Sequence, residues 1–371
     1  MTFWPWPGFG KARRALPPVT EDIELSEERD DTDFIANVSF TDFLGTLRSV
    51  HGEKFSAYRE EFHKTLNYET NGFIPPHPVT VSIELVNRCN LKCVMCFTDH
   101  HGNAKATLDL ETANRIFTQC RELEVPALVI GMGSEPLLYK NIREILSGAK
   151  ASGAIDIFLG TNGVLLDEEM CEFLVQSGIE RVEISVDAAS ADTYLKVRQK
   201  DEFERVTANI RRLIETRKRL GSKLPIIRLC FCTLDINRHE RQSFLDEWRD
   251  KVDYIDFQLA VDHTGLKEML AGKELAGLHA LPLPSTYCTY PFSSLHVYAD
   301  GEIAPCCSFH GKNTEMSLGN IRDTTLAEAW SGAPLKEIRR QLLTGEVNDY
   351  CRACLAKRDQ DAFSGLTIEK K

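Results

Sequence analysis

The chain has 371 residues, 43 % apolar and 27 % charged, the make-up of a globular protein with room for one large domain and appendages, or for two domains. A formal net charge of -11 weighs against a general nucleic-acid or anionic-membrane binder. No run approaches the roughly 18 apolar residues of a membrane span, so neither nucleic acid nor membrane is expected as a partner.

The opening MTFWPWPGFGKARRALPP holds aromatics and prolines but no continuous apolar stretch of the signal-peptide kind, which points to the cytoplasm. Residues 21–33 are acidic and polar and read as a solvated segment. Between Phe40 and Leu66 the apolar residues recur at helical spacing (Phe43, Leu44, Leu47, Val50, then Phe55, Tyr58, Phe62, Leu66), predicting one or two helices packed on a main domain. Pro75, Pro76 and Pro78 punctuate the end of this N-terminal extension, 1–78.

From residue 79 to 262 the pattern changes. Short apolar runs at Thr80–Val86, Ala127–Gly131, Ile155–Leu159, Arg181–Val186, Ile226–Thr233 and Tyr254–Leu259 read as strands. Helical patterns separate them at Leu110–Glu124, Ile142–Ser152, Glu168–Ser177, Phe203–Leu220 and Glu240–Lys251. Strands alternating with helices predict a parallel α/β sheet curling by right-handed crossovers. Six such units are too few to close an eight-unit barrel, so an open, partial (β/α)6 barrel is expected. Residues 263–371 then begin as a linker with a short helix (262–287). Leu295–Tyr298 and Glu302–Ala304 follow as a hairpin turning at Asp300-Gly301, then two short helices around Leu326–Trp330 and Leu335–Leu343.

Twelve cysteines are many for a chain read as cytosolic, where clustered thiols point to metal binding or catalysis rather than disulfides. Eight of them cluster: Cys89, Cys93 and Cys96; Cys288, Cys306 and Cys307; Cys351 and Cys354. The first three form a C-x3-C-x2-C run directly after the first strand, where the C-terminal end of a barrel strand opens onto an active site. Three thiolates can hold three corners of a [4Fe–4S] cluster and leave one iron open. A structural zinc site wants four ligands, and this run supplies three thiolates.

This run, with Met95 before its last cysteine, resembles the signature loop of the radical S-adenosylmethionine (SAM) superfamily. The resemblance implies that SAM chelates the open iron and that one electron cleaves it to a 5′-deoxyadenosyl radical, which takes a hydrogen atom from a substrate. Other segments resemble the family's elements in the same order. Gly131-Met-Gly133-Ser134-Glu135 is similar to a Gly-Gly-Glu motif, with Ser134 in place of the second glycine and Glu135 facing the SAM ammonium. Thr161-Asn162-Gly163 resembles a common turn element, and an ordinary Asn-Gly turn reads equally well. Ser185-Val-Asp187 resembles a Ser-x-Asp element whose serine reaches the SAM ribose, and Arg198 stands where relatives place an arginine for the SAM carboxylate, a solvated helix arginine reading equally well. The resemblance thus implies Met95, Gly133, Ser134, Glu135, Asn162, Ser185, Asp187 and Arg198 as SAM-binding residues. Asn237 and Glu240 resemble an Asn-x-x-Glu element, with a turn and helix cap as the plain alternative.

In the C-terminal part, Cys288, Cys306, Cys351 and Cys354 supply four thiolates, enough to saturate a second cluster. Their order resembles the SPASM/Twitch domain, with the late C-x2-C closing the site from a loop. No cysteine follows Cys354, so one auxiliary [4Fe–4S] cluster is expected; tetrahedral zinc is the alternative. A fully ligated cluster favours electron transfer, whereas a hydrogen-atom donor would give epimerisation; Cys230, Cys232 and Cys307 are the donor candidates, with a plain structural role as the alternative for each. The expected substrate is a small polar metabolite (sugar, aminoglycoside or nucleoside-like), with a ribosomally made peptide as the alternative, and the expected electron source is an external flavodoxin- or ferredoxin-type donor. The reading of a different class is a non-catalytic iron–sulfur or zinc protein, which would form no 5′-deoxyadenosine.

Overall fold

The computed structural model describes residues 36–96, 106–131, 133–259, 283, 285–307 and 316–364. The N-terminal tail, the acidic stretch 21–33 and most of the 262–287 linker with its expected helix lie outside the described residues. The strands are β1 (Ala36–Ser39), β2 (Thr80–Ile83), β3 (Ala127–Ile130), β4 (Asp156–Thr161), β5 (Arg181–Ser185), β6 (Ile226–Thr233), β7 (Tyr254–Leu259), β8 (Ser294–Val297) and β9 (Ile303–Ala304). The helices are α1 (Phe43–His51), α2 (Glu53–Leu66), α3 (Tyr68–Asn71), α4 (Leu110–Glu122), α5 (Ile142–Ala151), α6 (Glu168–Ser177), α7 (Ala191–Arg198), α8 (Phe203–Arg219), α9 (Arg241–Trp248), α10 (Tyr290–Ser293), α11 (Leu326–Ser331), α12 (Ala333–Thr344) and α13 (Asp349–Ser364). All six expected barrel strands form, and the chain is a mixed α/β protein built on parallel strands.

Two compact units divide the chain. The first comprises Met1–Gly52, Asn90–Cys96 and Phe158–Ala260. In it β4, β5, β6 and β7 run parallel, and β1 adds antiparallel to β7. Side chains alternate across these strands. Ile184, Leu229, Phe231, Ile255 and Phe257 are fully buried on the helix-facing side. There Phe231 and Phe257 meet Phe244 of α9, with ring centroids 5.1 and 6.3 Å apart. Each such ring removed from water contributes roughly 1.5–3 kcal/mol. The opposite face carries Glu183, Arg228, Cys230, Cys232, Asp256 and Gln258, all buried as well. Strand β1 is absent from the sequence expectation because Ala-Asn-Val-Ser has too little apolar alternation; its pairing with β7 is made by backbone. Helix α1 follows it, capped by Asp42, which accepts from Gly45 N at 2.8 Å, and its Phe43 stacks on Tyr254 at 4.4 Å.

The second unit comprises Glu53–Cys89, Phe97–Ile157 and Val261–Lys371. Here β2 pairs in parallel with β3 on one side and β8 on the other, and β8 pairs antiparallel with β9. The expected hairpin is present: Gly301 adopts φ 90° at its turn, a conformation that favours glycine, and donates to Tyr298 O at 2.9 Å. Among the described residues, β1 and β9 each have one strand partner, so neither edge is closed. Helices α2 and α3 pack on the C-terminal segment. The Tyr68 ring stacks on Tyr287 and Phe292, at 5.5 and 3.7 Å, and Trp330 Nε1 donates to Pro75 O at 2.9 Å.

Candidate active site and auxiliary thiol cluster

In the first unit, the segment Lys92–Cys96 hangs on the C-terminal end of α7. Lys92 N donates to Arg198 O at 3.4 Å and Val94 N to Val197 O at 2.9 Å, while Cys96 N turns back onto Cys93 O at 3.0 Å. Helix α7, which the sequence pattern did not predict, therefore positions two of the three signature thiols. Its Arg198 is 5 % exposed and fully engaged. Nη1 donates to Cys93 Sγ at 3.3 Å, Nη2 pairs with Asp187 Oδ2 at 2.7 Å, and Nε donates to Val186 O at 3.3 Å. Burial pushes the Cys93 thiol up, and the Arg198 guanidinium pulls it back.

Asp187 is itself fixed. It sits at φ 64°, and its Oδ1 accepts from Cys232 N at 2.7 Å. Asn237 Nδ2 donates to both Asp187 O and Cys232 O at 2.9 Å. At the other end of α7, the Glu240 carboxylate accepts from Ala189 N at 2.6 Å, Ser190 N at 3.1 Å and Thr193 Oγ1 at 2.7 Å, and also from the Ser190 hydroxyl. These donors hold its carboxyl below the usual range although burial opposes them. Asn237 makes a local turn, its Oδ1 accepting from Leu234 N at 2.6 Å, and Glu240 stands at the N-cap position of α9 without a side-chain cap bond, but both side chains also reach further. They pin the loop after β5 and the start of α7, a long-range role that sequence spacing does not reveal.

Other candidates fall around the same loop. Asn162 is buried and donates to Asn90 Oδ1 at 2.6 Å while accepting from Val164 N at 3.1 Å. Gly163 is required: a Cβ there would meet the Ile184 side chain at 2.8 Å. Ser185 is partly exposed at the end of β5, in register with Cys230, and Met95 is half-buried. In the second unit, Glu135 is 1 % exposed. It accepts from Leu137 N at 3.1 Å, and its own N donates to Arg88 O at 3.0 Å. Gly133 has φ 72°. The Ser134 hydroxyl is buried with no hydrogen-bond partner among the described residues. Such an orphaned polar atom fits a site that receives a hydrogen-bonding ligand from outside the chain.

The polar face of β5–β7 was missed as a site, although its signal lies in the sequence: Glu183, Arg228, Asp256 and Gln258 interrupt otherwise apolar strands at alternate positions. Arg228 pairs with Glu183 at 2.9 Å and with Asp256. Burial lifts the Glu183 carboxyl to about 7 despite the pull of Arg228. Cys230 Sγ donates to Gln258 Oε1 at 3.3 Å. Burial raises the Cys230 thiol strongly and takes Cys232 to about 12, so both are protonated S–H groups at neutral pH.

The auxiliary thiols converge within the second unit. Burial, then the neighbouring Cys307, Cys351, Cys354 and Cys288, push the Cys306 thiol far up. Burial, then Cys288 and Cys354, do the same for Cys351. The expected loop origin of the late C-x2-C is corrected: both thiols come from the first two turns of α13. There Cys351 N donates to Asn348 Oδ1 at 2.8 Å, and the three-residue spacing puts both thiols on one face. Tyr298 Oη donates to Cys306 O at 3.1 Å, and Cys288 N donates to Tyr68 Oη at 3.0 Å. Cys307, beside Cys306, also hydrogen-bonds the Tyr290 hydroxyl. Among the described residues no three His, Cys, Asp or Glu side chains close around a single ion. Cys288, Cys351 and Cys354 lie close enough to Cys306 to raise its thiol, a set that fits a shared cationic centre, since metal coordination deprotonates thiols outright.

The model of the radical SAM superfamily matches residues 83–248, and that of an iron–sulfur cluster-binding domain, SPASM, matches residues 288–355. A GTP 3',8-cyclase of Chlorobaculum tepidum is 29 % identical over 187 residues, 49 % of this chain and 54 % of that protein. The chain thus spans about half the length of the first curated relatives it matches. The tungsten-containing aldehyde ferredoxin oxidoreductase cofactor-modifying protein of Pyrococcus furiosus is 23 % identical over 286 residues, 67 % of this chain and 80 % of that one. Among solved structures, Streptococcus suis SuiB bound to precursor peptide SuiA superposes with TM-score 0.58 at 17 % identity, covering 78 % of this chain and 71 % of that one. Native anSMEcpe with bound AdoMet gives 0.55 at 17 % identity, covering 78 % and 97 %. These likenesses show the fold, an open TIM-like partial barrel.

Proposed function

Because this chain belongs to the radical SAM superfamily and carries a SPASM iron–sulfur cluster-binding domain, with SAM and [4Fe–4S] clusters as its cofactors, we propose that it takes a hydrogen atom from a small polar metabolite and directs the product radical to dehydrogenation or epimerisation. The observation that carries the substrate class is the buried polar face of β5–β7. A closed barrel fills its interior with branched aliphatic side chains; here those positions hold Glu183, Arg228, Asp256 and Gln258, groups that pair with hydroxyls and amines. Curated relatives that act on a nucleotide, such as the GTP 3',8-cyclases, are in keeping with this class.

Cys89, Cys93 and Cys96 would hold the SAM-binding cluster, and Cys288, Cys306, Cys351 and Cys354 the one auxiliary cluster. When bound, the first cluster supplies the electron that breaks the sulfonium C–S bond of SAM. Glu135 and the Ser134 hydroxyl would receive the SAM ammonium, beside the open backbone at Gly133. Ser185 and Asn162 would line the ribose side, and Met95 would pack against the nucleoside. Asp187 and Arg198, already facing one another, would act through the cysteine loop. Cys230 and Cys232 keep their S–H hydrogens and lie on the polar face, which suits hydrogen-atom return to a substrate radical; Cys307, tied to Tyr290, suits that role less. Residues 79–262 would form the SAM core and 263–371 the auxiliary part. The electron would come from a flavodoxin- or ferredoxin-type donor in the cytoplasm. Among the described residues no helix is long and apolar enough to cross a membrane.

The test uses the anaerobically reconstituted full chain with SAM, a reductant and a deuterated cell extract split by ultrafiltration. We expect 5′-deoxyadenosine to acquire deuterium from the small-molecule fraction. Deuterium from the peptide fraction alone would replace this reading with the peptide one, for which SuiB bound to its precursor peptide is the precedent of fold. Absence of 5′-deoxyadenosine would leave a non-catalytic metalloprotein.

A further inference from the structure

Arg198 sits in an arrangement more elaborate than a SAM-carboxylate ligand needs. Its guanidinium is 5 % exposed and points one nitrogen at a signature sulfur, Nη1 to Cys93 Sγ at 3.3 Å. The opposite nitrogen is braced by Asp187 at 2.7 Å. Asp187 is in turn fixed by Cys232 N and Asn237, and the helix that carries Arg198 is held at its start by Glu240 and at its end by the cysteine-loop backbone.

We infer that Arg198 is a positioning residue that sets the reduction potential of the SAM-binding cluster by donating a charged hydrogen bond to Cys93, with Asp187 as its counter-charge. The inference rests on the proposed ligation by Cys89, Cys93 and Cys96. Reduction adds one negative charge to the cluster and its thiolates. A donor on a ligand sulfur stabilises the more negative state and raises the potential, and the effect is strongest where solvent does not screen it. Asp187 offsets part of the guanidinium charge while aiming it. Removing the donor and removing the counter-charge therefore move the potential in opposite directions, a signature that loss of structure alone does not produce.

The experiment is an EPR-monitored redox titration of the reconstituted full chain without SAM. The SAM-binding cluster is identified as the signal that changes when SAM is added. Arg198→Met is expected to lower its potential so that about tenfold less is reduced at a fixed poise, which is about 59 mV for a one-electron couple. Arg198→Lys should recover part of that shift, and Asp187→Asn should move it upward. An unchanged potential in Arg198→Met with weakened SAM binding would assign the arginine to the cofactor and overturn the inference. Loss of the SAM-responsive signal in both Arg198 variants would overturn it in favour of a purely architectural clamp. A wild-type protein with no SAM-responsive signal would sink the ligation itself, a separate failure.

Discussion

Arg228 is a guanidinium 1 % exposed, paired with two carboxylates that are 4 % and 2 % exposed. Two negative charges against one positive leave an excess that the interior tolerates only by keeping a proton or meeting a cationic partner. Burial, opposed by Arg228 and reinforced by Asp256, lifts the Glu183 carboxyl to about 7. Arg228→Met should cost about 3–5 kcal/mol, because it strands two buried carboxylates; urea denaturation of the full chain reads this directly. The pH sense follows from the same shift. Glu183 binds its proton more tightly folded than at its ordinary 4.5, so between pH 4.5 and about 7 unfolding releases protons and stability falls as pH rises. Glu183→Gln should flatten that decline. At this scale the sequence was partly legible. Cysteine spacing marked the metal-ligand candidates, but the pairing of Asp187 with Arg198 joins residues that a motif reading assigns separately to the cofactor.

Among elements, α7 and α13 carry the most weight for the site, and neither was anticipated as a positioning helix. Helix α7 is short and weakly patterned, and its anchor comes from Glu240, 50 residues from Ser190. Removing that anchor with Glu240→Ala takes away four donors' common acceptor and should cost about 1–3 kcal/mol. A lowered melting temperature and reduced iron in the SAM-binding cluster would both register it. Helix α13 gives the late thiols their three-residue register on one face. Cys351→Ala with Cys354→Ala should reduce the iron count from about eight to about four while SAM still perturbs the remaining EPR signal; loss of all iron would show the two sites to be inseparable. The strands of the barrel were legible because short apolar runs alternate with helical patterns along the sequence. Strand β1 was not, because its place is decided by an open backbone edge on β7 rather than by its own side chains.

At the level of the whole molecule, Glu84 couples two distant stretches of chain. It lies one residue past β2, is 2 % exposed, and accepts from Ala299 N at 3.1 Å. Burial lifts its carboxyl to about 8, with the Ala299 hydrogen bond opposing. Its folded pKa lies above the ordinary 4.5, so it too makes stability fall as pH rises, here up to about pH 8. Glu84→Gln keeps the acceptor and removes the ionisation. Its melting temperature should be close to that of the wild type near pH 5 and higher near pH 8.

The parallel pairing of β8 with β2 has a practical corollary for anyone wishing to dissect the protein. A shortened version ending before Ser294 would leave Thr80–Ile83 with a naked flank of amides and carbonyls, flanked by Val81 and Ile83 that are fully buried in the intact chain. Bare apolar strands of this kind recruit further strands from solution. The hairpin is therefore poorly suited to modular grafting or swapping, and a truncated core is expected to precipitate rather than persist as a simpler enzyme.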